Sequence, residues 1–214
     1  MRWRVLLSWL WPVRVARIHG KHGPLEVRYE AGRLVLNSAH GNQSFGSLHR
    51  VWQEVFARIG VAVDPPSSVL LLGLGGGSVP FILRRKLGLS CPITAIELDP
   101  AMIAAGRAHF GLDRVAALHV IEGDATVQVH ALHERFDLVV VDLFDDLDLA
   151  RGTDTLGFAH ALRDRCQGTL CFNTVGHDPN SRARCDRVAA NLRRVFNTVD
   201  ELSLEGVNRL FIAR

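Results

Sequence analysis

Two hydrophobic rhythms run along the chain, and the change between them falls near residue 64. Before it, Leu25-Glu26-Val27-Arg28-Tyr29 alternates apolar and polar side chains, Glu30-Ala31-Gly32 turns, and Arg33-Leu34-Val35-Leu36 returns. This predicts a β-hairpin within a section, residues 13–37, that reads as strand. Residues 48–59 then set Val51, Trp52, Val55, Phe56 and Ile59 at helical spacing. Asp64-Pro65-Pro66-Ser67 breaks the pattern. Beyond it come short strand-length runs at 69–72, 93–96, 117–121, 138–141 and 169–172, the first of them continuously apolar as a buried parallel strand should be. Helices are expected up to about residue 87, from Asp99-Pro100 and over 180–195, and two closing strands at 198–204 and 208–212. Strand alternating with helix predicts an α/β protein: a doubly wound, seven-stranded, mostly parallel sheet behind a short N-terminal β-hairpin cap. Residues 1–64 are the N-terminal segment, hairpin and linker helix, and 65–214 the Rossmann-like domain.

Composition supports a globular protein: 48% apolar and 22% charged over 214 residues. The net charge of +3 is too small to argue for nucleic acid. Arg182, Arg184, Arg187, Arg193 and Arg194 at helical spacing read as a solvated face. The four cysteines form no C-x-x-C pair and read as reduced thiols, so a cytoplasmic location is expected. The start, with Trp3, Trp9, Trp11, Arg2 and Arg4 around a short apolar run, is too short to span a bilayer. It reads as a segment that packs on the body or a partner, with weak membrane-surface contact as the alternative.

Candidate chemistry lies after the strands, where a doubly wound sheet binds ligands. Gly73, Gly75, Gly76 and Gly77 follow the first strand and let a ligand lie on bare backbone. Glu97 follows the second, at the spacing from the glycines that suits ribose hydroxyls. Asp124-Ala125 follows the third, where a carboxylate can take the adenine amino group. Asp142 and Asp145 follow the fourth, with Asp146 and Asp148 beside them. His19-x-x-His22 and His130-x-x-His133 lack matching ligand pairs, so no metal is expected, and the latter two are placed on a surface helix.

Glycine loop, Glu97-Leu98-Asp99-Pro100, Glu122-Gly123-Asp124-Ala125 and an acid after strand four together resemble class I S-adenosylmethionine-dependent transferases. Within these, residues 23–214 resemble the spermidine synthase family of polyamine aminopropyltransferases. The resemblance implies that Gln43, Glu97 and Asp124 bind the nucleoside and that the carboxylates of a D-x-x-D motif, Asp142 and Asp145, serve the amine. It implies decarboxylated S-adenosylmethionine or S-adenosylmethionine as co-substrate, a small amine as acceptor and a homodimer. Asp142 would accept the proton of the attacking nitrogen. Three features depart from the family: Gly76 stands where it carries an aspartate for the aminopropyl ammonium, Trp52-Gln53 replaces its Tyr-His pair, and the N-terminal β-domain is short. A small-molecule methyltransferase and a non-catalytic nucleoside-binding module are the alternative readings.

Overall fold

The apolar runs form the interior of a seven-stranded sheet in a computed structural model, which describes residues 2–38 and 42–214, without the side chains of Arg2, Asn42 and Gln43. The chain divides into two compact units, each assembled from three stretches of sequence.

The first unit comprises Met1–Ala62, Leu74–Ser90 and Asp99–Ala116. It holds α1 (Arg2–Leu7), β1 (Val13–Gly20), β2 (Gly23–Glu30), β3 (Arg33–Asn37), β4 (Asn42–Ser44), α2 (Ser47–Arg58), α3 (Ser78–Phe81, extended by a π-helical turn, Ile82–Lys86) and α4 (Pro100–Phe110). The strands pair antiparallel in the order β1-β2-β3-β4. The expected hairpin is thus the centre of a larger sheet, with Glu30 opposite Arg33 across Ala31-Gly32. Its inner residues Leu25, Val27 and Leu36 bury against Met102 and Ala105 of α4. Asp99 begins α4 as the sequence predicts: Oδ1 accepts the Ala101 N–H at 2.8 Å. Its Oδ2 accepts the Lys21 N–H at 2.7 Å, so one carboxylate caps the helix and holds the β1–β2 turn. A cap of this kind is worth about 1 kcal/mol. On α2 the buried residues are Val51, Trp52, Val55 and Phe56. Trp52 stacks on Phe56 with ring centres 5.7 Å apart and acts as core.

The second unit comprises Val63–Gly73, Cys91–Leu98 and Ala117–Arg214. It holds β5 (Val69–Leu72), β6 (Ile93–Glu97), β7 (Leu118–Glu122), α5 (Ala125–Ala131), β8 (Phe136–Val141), β9 (Phe144–Asp145), β10 (Asp148–Leu149), α6 (Leu156–Arg165), β11 (Cys166–Val175), α7 (Pro179–Val195), β12 (Val199–Leu204) and β13 (Asn208–Ala213). The large sheet runs β12-β13-β11-β8-β5-β6-β7, with antiparallel pairing only where β13 meets β11 and β12. This is the predicted α/β sheet. Leu70, Leu72, Val139, Val141, Phe172 and Phe211 pack with Val129 of α5, Phe158 and Leu162 of α6, and Val188 and Leu192 of α7. Each such side chain stabilises the fold by about 1.5–3 kcal/mol. α7 starts with a capping box, Asp178 accepting the Ser181 N–H at 2.7 Å and Ser181 Oγ accepting the Asp178 N–H at 2.9 Å. α6 was not expected from the sequence, and His133 lies beyond the end of α5 rather than on a helix. Among the described residues no helix is long and apolar enough to cross a membrane.

Candidate functional site

The chain leaves β5 for β6 and β7 on one side and returns to β8 and β11 on the other. Strand order therefore reverses between β5 and β8, the position at which such sheets bind ligands. Gly73 and Asp142 end these two strands. The Gly73 N–H donates to Ile96 O at 2.9 Å, and the Asp142 N–H to Leu72 O at 2.8 Å. Gly73 has φ +91°, and a Cβ there would stand 2.1 Å from the Asp142 carbonyl oxygen. Glycine is required both by the left-handed backbone and by this approach.

Around that point the second unit presents its acids. Glu97 ends β6 and is 9% exposed, with its carbonyl taking the Gly123 N–H at 2.9 Å. Asp124 is exposed and caps α5, Oδ1 accepting the Thr126 N–H at 2.8 Å and the Thr126 hydroxyl at 2.7 Å. Ala125 opens that helix and is buried. Asp142 is half-buried, and its Oδ1 accepts from Asn173 Nδ2 at 2.9 Å. Asn173 is wholly buried in β11, and its own carbonyl oxygen accepts from Asn208 Nδ2 at 3.0 Å. Two amides thus orient the Asp142 carboxylate, a device the sequence reading missed. Its signal was an Asn-Thr pair inside an otherwise apolar strand. Asp145 lies in β9 opposite Asp148 of β10, across a turn in which Asp146 has φ +61°.

In the first unit, Gly75 and Gly77 have positive φ, and a Cβ on Gly77 would meet Leu112 Cδ1 at 2.7 Å. The Gly76 N–H donates to Ser44 Oγ at 2.8 Å. A Cβ on Gly76 would lie 3.1 Å from both Leu36 Cδ2 and Ser44 Cβ, so any side chain there would press on these two residues. Gln43 belongs to β4 by its backbone; its side chain lies outside the described residues.

His49, not anticipated as a functional residue, sits beside this turn within the same unit. Ser78 Oγ accepts the Phe45 N–H at 3.3 Å and shares a hydrogen bond with His49 Nδ1 at 2.8 Å. His49 stacks on Phe45, and Phe45 on Phe110 with centroids 4.6 Å apart. Burial pulls the His49 pKa from 6.5 down to about 4, and the charges of Lys86 and Arg33 pull the same way. The folded state thus binds fewer protons than the unfolded chain, and the stability this provides is present above pH 6.5 and lost as pH falls toward 4. The melting temperature is expected to drop across that window, and His49→Asn to flatten the drop; equal slopes for both proteins in thermal melts would reject the assignment.

Elsewhere in the second unit, two of the five arginines expected to be a solvated face are engaged. Arg184 donates to Asp154 and to the carbonyls of Leu149 and Ala150, and Arg187 to Asp154 at 2.7 Å. Burial pushes the Asp154 carboxyl up, but the hydrogen bonds from both guanidinium groups more than offset it and hold the group below the usual carboxylate range. His177 Nε2 lies 3.2 Å from Asp178 Oδ2. Burial pushes the Cys166 thiol up to about 11 and Cys171 to about 12, which leaves neither as a nucleophile.

No protein-family model matches the chain. It is 28% identical over 173 residues to the eEF1A lysine and N-terminal methyltransferase homolog of Drosophila pseudoobscura, covering 73% of this chain and 25% of that protein. It is 27% identical over 144 residues to the polyamine aminopropyltransferase of Korarchaeum cryptofilum, covering 64% of this chain and 44% of that one. The chain thus spans about a quarter of the length of the first of these relatives and under half of the second. Among solved structures, a probable spermidine synthase from Corynebacterium glutamicum superposes with a TM-score of 0.73 at 15% identity, over 93% of this chain and 79% of that one. Human methyltransferase-like protein 13 in complex with SAH gives 0.65 at 20% identity, over 79% and 82%. The fold is methyltransferase-like, and both transferase types share it.

Proposed function

We propose that the chain binds a sulfonium nucleoside at the ends of β5, β6, β7 and β8 and directs transfer of its methyl group to an amine nitrogen, with S-adenosylmethionine as the donor. The observation that carries this reading is Asp142, whose half-buried carboxylate is held by Asn173 while its backbone carbonyl packs against Gly73. The residues fit such a ligand. Gly73 leaves bare backbone at the reversal point, Glu97 would hold the ribose hydroxyls, and Asp124 and Ala125 would meet the adenine. When bound, the donor supplies an electrophilic carbon and departs as a thioether. The amine must lose a proton to attack, since free amines are charged at neutral pH. Asp142 would take that proton, and Asp145 would hold a second ammonium of the acceptor. A small polyamine satisfies both roles, whereas a lysine side chain, with a single nitrogen, satisfies only that of Asp142.

The choice of donor rests on Gly76. In the aminopropyltransferase family that position carries an aspartate for the aminopropyl ammonium, and glycine offers no carboxylate. Aminopropyl transfer from decarboxylated S-adenosylmethionine is the second reading. It is favoured by the likeness to aminopropyltransferases, a family in which the two carboxylates of a D-x-x-D motif, at the positions of Asp142 and Asp145, serve the amine. Titration calorimetry decides. The expected result is that S-adenosylmethionine binds about tenfold or more tighter than its decarboxylated form, a difference of about 1.4 kcal/mol. The reverse order would select aminopropyl transfer, and binding of neither would overturn both.

A further inference from the structure

The first ten residues show an inverted pattern. Helix α1 continues in helical turns through the bonds Ser8 N–H to Arg4 O and Trp11 N–H to Leu7 O. It is held by its polar side: the Ser8 carbonyl accepts the Ala31 N–H at 2.9 Å, and Ser8 Oγ accepts the Gly32 N–H at 3.0 Å. Ser8 is buried at 4% exposure. Trp3, Leu6 and Leu10, spaced i, i+3, i+7, lie on the helical face opposite Ser8 and are 59%, 71% and 74% exposed. Trp9 and Trp11 add 69% and 59%. A soluble helix turns its apolar stripe inward; this one turns it out.

The charge of this part of the sequence is equally one-sided. Arg2, Arg4, Arg14, Arg17 and Lys21 precede the first acidic residue of the chain, Glu26. The remaining 20 Lys and Arg face all 22 acids, so the rest of the chain is net −2 and the whole positive excess sits in the first 25 residues. Arg17, His19 and Lys21 are exposed on and just after β1. Arg14 is exposed too, though it also pairs with Glu26 at 3.2 Å.

We infer that this N-terminal surface seats on an anionic lipid membrane. Tryptophan and leucine bury in the boundary between headgroups and acyl chains, and arginine and lysine meet the anionic headgroups. The short helix lies in the plane of the interface, since it is far too short to cross it. Ser8 and the β2–β3 turn keep its apolar face directed outward from the first unit, so the surface is formed before the lipid is met.

The test uses the full chain with vesicles of phosphatidylcholine alone or mixed with phosphatidylglycerol. Binding to the anionic vesicles is expected to be about tenfold or more tighter and to weaken with salt. Tryptophan emission should shift to the blue, because three of the four tryptophans lie in this segment. The Trp3→Ser, Leu6→Ser, Leu10→Ser variant should lose binding while keeping its melting temperature, since none of the three is buried. Arg2→Glu with Arg4→Glu should lose the preference for anionic lipid. Equal or absent binding to both vesicles overturns the inference. So does a dimer in sedimentation that the triple variant dissolves without any lipid binding, which would make this face a contact between two copies of the chain.

Discussion

Asp142→Asn is expected to lower turnover by about 10²–10⁴-fold while nucleoside affinity changes by less than about twofold. Asparagine keeps the carbonyl oxygen that accepts from Asn173 and has the same shape, so the ends of β8 and β5 should stay as they are. What disappears is the negative charge and its capacity to take a proton from the amine. Calorimetry with the donor and release of the thioether product with an amine acceptor separate the two effects. Undiminished product release would remove Asp142 from its assigned role. Loss of donor binding would instead make it a nucleoside ligand.

The largest structural effect is expected at Gly73. Gly73→Ala should cost about 4 kcal/mol or more, at the level that marks a disrupted backbone packing rather than a local adjustment. Its added methyl would stand 2.1 Å from a carbonyl oxygen in the middle of the sheet, where nothing can swing aside. Gly88 is the control: its φ is +69°, and a Cβ there meets nothing within 4 Å. Gly88→Ala should therefore cost only the left-handed penalty, about 1–2 kcal/mol. Urea unfolding of the two variants measures the difference, and equal midpoints would show that the close approach carries no weight.

The sheet was legible because its strands are covered on both faces. Runs such as Val69–Leu72 and Phe136–Val141 leave little choice of structure, and Asp99-Pro100 marks a helix start by its own chemistry. Helix α6 was hidden because Phe158, Ala159, Ala161 and Leu162 are all buried, which blurs the helical period. β4, which falls in a stretch the sequence shows only as polar, draws its strand character from pairing with β3. Among the candidate residues, Glu97, Asp124 and Asp142 stand out in the sequence because each lies at a strand's end or within two residues of it. Asn173, Asn208, Ser44 and the Arg184–Asp154 contact do not, since each acts on a partner about thirty or more residues away. Hydrophobic period carries no information at that range.

The shared carboxylate of Asp99 also constrains the order in which the molecule is made. Its bond to Lys21 spans 78 residues, and the first unit draws on stretches extending to Ala116. The strands of the N-terminal sheet end at Ser44, whereas the helix that covers them begins only at Pro100. Contacts this distant in sequence slow folding, because the intervening chain must be closed into a loop before they form. Until α4 docks, Leu25, Val27 and Leu36 lack the side chains that cover them, so the inner face of the sheet stays open to water and to wrong partners.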